Sequence, residues 1–192
     1  MNVSGFSRIN TRIRPGSELA TITVSESMEQ MLSPETIGAE LESIRHSVDG
    51  VAIIGDGCDP LSDPGLFRII KSIGAKGMEI LIVSDGRNPS NLDDLVGAGY
   101  VDFLVLVAGP ALTDTQLGCI DVMRDNNKGY MLSLEVSKDS FDVDAISSTC
   151  KKTRDSRHTV IRNGKGTDAV SNKDLQSLTK SLKGLVRDLK IV

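Results

Sequence analysis

The stretch Gly50-Val51-Ala52-Ile53-Ile54-Gly55-Asp56-Gly57-Cys58-Asp59-Pro60 decides how the chain is read. Val51 to Ile54 is a short apolar run rich in β-branched residues, the signature of a buried strand in a parallel sheet. It breaks into a glycine-rich acidic turn, and Pro64 then opens a helical pattern. Ligands in α/β folds bind beyond the carboxyl ends of strands, so this turn is where chemistry is expected.

The same unit recurs on either side. Residues 19–24 alternate as a strand, and Ser33-Pro34-Glu35 then supplies a helix start. Its parts are a Ser cap, Pro at the first position and an acid at the positive end of the dipole. Ile37, Leu41, Ile44 and Val48 follow at helical spacing, and Gly50 ends the element. Strand 51–55 precedes a helix carrying Leu66, Ile69, Ile70 and Ile73, and strand 79–84 precedes Asn88-Pro89 and Leu92, Leu95 and Val96. Strand 101–107 leads to a helix from Thr113 with Leu117, Ile120 and Met123, and strand 130–136 to a helix over 145–152. Strand 158–162 leads to the stripe Leu175, Leu178, Leu182 and Leu185, and residues 189–192 add a final strand.

Short apolar strands alternating with amphipathic helices give a mainly parallel sheet with right-handed crossovers. Six units exceed a small flavodoxin-like domain and fall short of a full eight-unit barrel. The expected fold is α/β, a partial (βα)6 TIM-like barrel, with a doubly wound α/β sheet as second choice. Residues 1–192 read as one domain. Within it, residues 1–17, with Arg8, Arg12, Arg14 and a Pro-Gly turn, form an N-terminal extension with room for an added strand.

A net charge of -4 argues against nucleic acid or an anionic membrane as the main partner. Cys58, Cys119 and Cys150 are widely spaced and odd in number, which is no disulfide framework and fits a reducing compartment. The first residues lack an apolar leader, and no apolar run reaches membrane-spanning length. The expected location is therefore the cytoplasm, and the expected partner a small molecule or another protein.

If the strand assignments hold, their carboxyl ends bring Gly55, Asp56, Gly57, Cys58, Asp59, Ser84, Asp85, Gly86, Glu135 and Arg162 to one rim, as candidate ligand-binding residues. Asp59, Asp85 and Cys58 are the catalytic candidates, and Asp56, Asp59 and Asp85 the candidates for a divalent metal, since hard cations take carboxylate oxygens. Each acid also has a local reading, because Asp is favoured in turns for the backbone N–H groups it accepts. Asn163-Gly164-Lys165-Gly166-Thr167-Asp168 reads either as an anion-wrapping loop or as a plain turn. His46 and His158 have no zinc-ligand spacing around them.

From Ser33 to Leu112 the chain resembles the core of radical S-adenosylmethionine (AdoMet) enzymes, especially the activating enzymes of glycyl-radical proteins. Ser33-Pro34-Glu35-Thr36-Ile37 matches the family's first helix start, and Gly57-Cys58-Asp59-Pro60 stands where its Gly-Gly-Glu-Pro turn follows the second strand. Val83-Ser84-Asp85-Gly86 matches the strand ending in Thr-Asn-Gly, and Ala98-Gly99-Tyr100-Val101-Asp102-Phe103 matches the entry to the fourth strand. The resemblance implies a partial barrel of six units with an AdoMet cleft at the rim.

The departures bear on activity. The family's Cys-x3-Cys-x2-Cys loop belongs before Ser33, where Val24-Ser25-Glu26-Ser27-Met28-Glu29-Gln30-Met31 holds no cysteine. Thiolates hold such clusters, so no iron–sulfur cluster is expected. Cys58 and Asp59 replace the family's second glycine and its Glu, and Val107 and Gly109 stand where an Asp and a Lys often close the fourth strand. A degenerate member is implied, acting as a binding, regulatory or scaffolding module. Two alternatives stay open: a metal-dependent hydrolase, lyase or isomerase using the rim carboxylates, and an accessory protein binding AdoMet or a nucleotide.

Overall fold

Capping and apolar patterning place the helices. In the computed structural model, which describes residues 2–10, 13–26, 32–62, 65–74 and 77–192, the Ser33 hydroxyl accepts from the Thr36 N–H and opens α1 (Pro34–Ile44). The helix α2 spans Leu66–Gly74, and Asn88 caps α3 (Pro89–Gly97). A full capping box of Thr113 and Gln116 opens α4 (Asp114–Asp125), Asp142 opens α5 (Val143–Lys152), and Ser171 opens α6 (Asn172–Leu182). Pro64, Arg12 and residues 27–31 lie outside the described residues, as do the side chains of Arg8 and Ile73.

The strands are β1 (Asn2–Asn10), β2 (Leu19–Ser25), β3 (Gly50–Gly55), β4 (Glu79–Ser84), β5 (Phe103–Ala108), β6 (Gly129–Val136), β7 (Thr159–Asn163) and β8 (Leu189–Ile191). They form one eight-stranded sheet in the order of the chain, β1 to β8. β1 runs antiparallel to β2, and every later neighbour pair is parallel. The room for an added strand within residues 1–17 is thus filled by β1.

This order corrects the second-choice topology. A doubly wound sheet reverses its strand order at a switch point and carries helices on both faces. Here no reversal occurs, so right-handed crossovers put every helix on one side. The sheet is the wall of an open partial barrel, with β1 and β8 at its free edges.

Alternation along the strands then sorts the apolar residues into two cores. Val51, Ile53, Ile80, Ile82, Leu104, Leu106, Leu132 and Leu134 face outward and pack with Leu41, Leu66, Leu92, Ile120, Ile146 and Leu178 of the helices. Leu19, Ala52, Leu81, Phe103, Val105, Met131 and Val160 face inward and fill the barrel interior. Each such buried Leu or Ile stabilises the fold by roughly 1.5–3 kcal/mol.

The amino end of that interior is stoppered. Phe103 is buried at the start of β5, and the guanidinium carbons of Arg14 and Arg157 lie 5.1 and 5.6 Å from its ring centroid. Arg14 also forks onto Glu79, its Nη1 and Nη2 each donating at 2.8 Å. The carboxyl ends of the strands are therefore the open mouth. No helix among the described residues is long and apolar enough to cross a membrane.

Candidate functional site

The turn after β3 is tied down from several sides. The Asp56 N–H donates to the Val24 carbonyl at 2.8 Å, and the Cys58 thiol reaches the same oxygen at 3.5 Å. A Cβ at Gly55 would collide with the Cys58 carbonyl, so the chain turns back on itself where only glycine fits. Gly57 holds φ at 71°. A short 3-10 turn, Pro60–Ser62, follows, and Asn91 of α3 donates to the Leu61 carbonyl at 2.7 Å.

The turn after β4 is held from the other side. The buried Ser84 hydroxyl accepts from the Gly86 N–H at 3.0 Å. Gln116 of α4 donates to the Asp85 carbonyl at 2.9 Å while its oxygen takes the Thr113 N–H at 3.0 Å. Gly86 is a packing residue: its φ is 77°, and a Cβ would sit 2.7 Å from Leu106 and 2.9 Å from Gln116.

Between these turns lies a cavity of about 560 Å³. Ile54, Val83 and Val107 form its apolar floor, and Gly55, Gly57, Cys58, Asp59, Ser84, Asp85, Arg87 and Glu135 complete its wall. Glu135 also borders a second hollow of about 420 Å³ with Ser137, Ser140, Arg162 and Asn163. Glu135 and Arg162 pair in register across β6 and β7, and Arg162 Nε donates to Ser133 at 2.8 Å. Of the ten candidate ligand-binding residues, seven line one cavity and Arg162 lines its neighbour. Exposed Asp56 and covered Gly86 line neither.

The electrostatic centre of the cleft is a pair of acids. Asp59 Oδ1 accepts from the Leu61 N–H at 3.3 Å, while Asp59 Oδ2 and Asp85 Oδ1 are buried with no hydrogen-bond partner among the described residues. The other Asp85 oxygen meets the exposed Arg87 at 2.8 Å. Burial raises the Asp59 carboxyl above the usual carboxylate range; the nearby Ser84 hydroxyl opposes this, and the like charge of Asp85 adds to it. Two acceptor oxygens without donors fit a ligand that brings a positive charge or an N–H.

The cysteines are not arranged for reactivity or for a cluster. Burial and the Glu26 carboxylate push the Cys58 thiol up, which leaves less thiolate than an ordinary cysteine has. Cys119 is buried on α4 with its thiol toward the Gly86 carbonyl at 3.6 Å, and burial pushes it up to about 12. Cys150 is buried on α5, pushed up to about 11 by burial. Three thiols on three separate elements do not fit an iron–sulfur cluster.

Among the described residues, no group of three His, Cys, Asp or Glu side chains is placed to hold a metal ion. Of the three metal candidates, Asp59 and Asp85 line one cavity, and exposed Asp56 lies outside it. The loop after β7 forms a turn in which the Gly164 N–H donates to the Val136 carbonyl of β6, Asp168 to Lys165 and Ala169 to Gly166.

Asn91, Gln116 and Ser133, which steady the rim, are absent from the sequence-based site. Gln116 carried a signal, since Thr-x-x-Gln before an apolar helix is a capping box. Asn91 and Ser133 carried none, because what they touch lies 30 and 29 residues away in the chain.

Comparison with known proteins bears on the fold. No protein-family model matches the sequence, and no curated protein matches it. A radical SAM methyltransferase from Sphaerobacter thermophilus superposes with a TM-score of 0.64 at 9% identity, over 93% of this chain and 67% of that one. SuiB of Streptococcus suis bound to S-adenosylmethionine superposes at 0.62 and 12% identity, over 87% of this chain and 44% of that one. The chain thus spans about two thirds of the methyltransferase and under half of SuiB. Orotidine 5'-monophosphate decarboxylase from Methanocaldococcus jannaschii, at 0.51 and 14% identity, shares the barrel-like arrangement over 88% of this chain and 86% of that one. The fold is α/β, TIM-barrel-like and radical-SAM-like.

Proposed function

We propose that this chain is a radical-SAM-like barrel without a cluster of its own, which binds a small molecule in the rim cleft and serves as a regulatory or scaffolding module. One observation carries the reading. The cavity of about 560 Å³ is built from the two turns that match the family's motifs, in a sequence without the Cys-x3-Cys-x2-Cys loop. AdoMet is the first ligand to consider, since structures with the same fold contain it. Its α-ammonium and its sulfonium are cationic, which suits the unpartnered oxygens of Asp59 and Asp85. In this reading Asp59 and Asp85 accept from the ligand, Ile54, Val83 and Val107 pack beneath it, and Cys58 shapes the wall without acting as nucleophile.

The test has two parts. Protein purified anaerobically is assayed for iron and sulfide, then titrated calorimetrically with AdoMet and with S-adenosylhomocysteine. Binding without stoichiometric iron, weakened by Asp59→Ala, is the expected result. A stoichiometric cluster overturns the cluster-less reading, and silence with both compounds removes the AdoMet-type cleft. Binding by a nucleotide instead would favour the accessory-protein alternative.

A further inference from the structure

The opposite end of the barrel carries a further polar cavity, of about 290 Å³, at the amino ends of β6 and β7. Arg124, Lys128, Arg157 and Arg187 line it, with Asp155 as the one acidic side chain in its wall. Such a concentration of cations is unexpected in a chain of net charge -4.

Two of the four are accounted for locally. Arg124 is locked to Asp155 (2.8 and 2.6 Å), to the Lys152 carbonyl (2.7 Å) and to the Tyr130 hydroxyl (3.1 Å), a bracket that closes the end of α5. Lys128 reaches Asp102 at 2.8 Å. Arg157 and Arg187 differ. Neither meets a carboxylate among the described residues. Nor do they cap helices, since Arg157 lies between α5 and β7 and Arg187 between α6 and β8.

Arg157 is nevertheless held in place. Its guanidinium lies over the buried Phe103 ring, and its backbone N–H donates to Tyr130 at 2.9 Å. Residue 129 must be small for this to happen, because a Cβ on Gly129 would sit 2.7 Å from Arg157 Nε and 2.8 Å from the Phe103 ring. A cation seated over a ring, on a glycine that leaves it room, beside a second unpaired guanidinium, is a preorganised anion receptor.

We propose that this cavity binds a small anion bearing a phosphoryl group, gripped by Arg157 and Arg187 with Lys128 at its side. Forked guanidinium donors match phosphoryl oxygens in pairs. The size of the cavity and the net charge of -4 on the chain favour a compact ligand over a polyanion. The site is separated from the rim cleft by the packed barrel interior, so it stands apart from the function proposed above.

Inorganic phosphate is the probe, followed by calorimetry and by phosphorus NMR line width at low ionic strength. Wild type binds, and Arg187→Ala weakens binding about tenfold while leaving the melting temperature unchanged, since the side chain is exposed and unpaired. Arg157→Ala does the same, and a fluorescence or NMR check of the fold accompanies it because it also uncovers Phe103. Binding unaffected by Arg187→Ala overturns the proposal, as does binding abolished by Arg87→Ala, which would place the anion in the rim cleft. Tighter binding of succinate than of phosphate overturns the assigned ligand class.

Discussion

The side-chain amide of Asn91, on α3, donates to the Leu61 carbonyl at 2.7 Å and so fastens the turn after β3 to a helix of the next unit. Leu61 is buried, so without the amide that carbonyl would have no partner among the described residues. Asn91→Leu should cost about 1–3 kcal/mol in denaturant unfolding. It should also loosen the wall that carries Asp59, and with it any ligand affinity of the cleft. Unchanged stability would mean that water replaces the amide without loss.

The pairing of Asp59 with Asp85 predicts a pH dependence of known sign. Burial first, and the Asp85 carboxylate after it, hold the Asp59 carboxyl above its ordinary value, so the folded chain retains a proton that the unfolded chain has released. This contribution is full below the ordinary carboxylate pKa of about 3.9 and is lost as pH rises through the raised value. Asp59→Asn keeps an acceptor for the Leu61 N–H and removes the like charge. The variant should melt higher than wild type at neutral pH, with the gain shrinking in acid. Parallel melting curves across that range would contradict the assignment.

Asp155 predicts the opposite trend. Its hydrogen bonds with Arg124, and then with Tyr130, hold its carboxyl well below the usual range. That stability is present above the ordinary carboxylate pKa and disappears as pH falls through the lowered one. Asp155→Asn should therefore destabilise at neutral pH, and the difference from wild type should narrow under acid conditions. Thermal melts at a series of pH values decide it.

Gly129→Ala tests how tightly the amino end of the barrel is packed. The added methyl meets the Phe103 ring, which is buried and cannot move aside as freely as Arg157 can. Overpacking of this kind costs about 1–3 kcal/mol. A neutral substitution would show that the stopper is softer than its geometry implies.

The strands were legible because apolar β-branched runs bounded by glycine and proline leave few alternatives. Residues 79–84 coincide with β4. β5 begins at Phe103 instead of Val101 because Asp102 takes over the edge. Its N–H donates to the Ile80 carbonyl at 2.9 Å, and its carboxylate accepts from the Ile80 N–H at 3.1 Å. Val101 is buried all the same, so its apolarity looked like strand. β1 was legible only as room for a strand, since Asn2-Val3-Ser4-Gly5-Phe6-Ser7 alternates weakly and draws its place from β2.

The rim residues could be read because position at a strand end is a local property. The cations of the cavity at the amino ends of the strands could not, since Arg124 comes from α4 and Arg157 and Arg187 from two different connections, and they meet only once the barrel has curled. The inward choice of Phe103 was equally hidden, because a strand buried on both faces shows no alternation in its sequence.

The order of the strands has a kinetic consequence. Each parallel strand bonds to the one that follows it in the chain, as Ala20 does with Val51 and Leu104 with Tyr130, and β1 and β8 are not hydrogen-bonded to each other. Every parallel pairing therefore closes a loop of a single helical crossover, the antiparallel pair of β1 and β2 closes a shorter one, and none waits on the meeting of distant segments. Loop-closure entropy is met in small, similar steps. Such a chain can zip up unit by unit from whichever crossover forms first, and loss of the last strand would strip its neighbour without unravelling the rest.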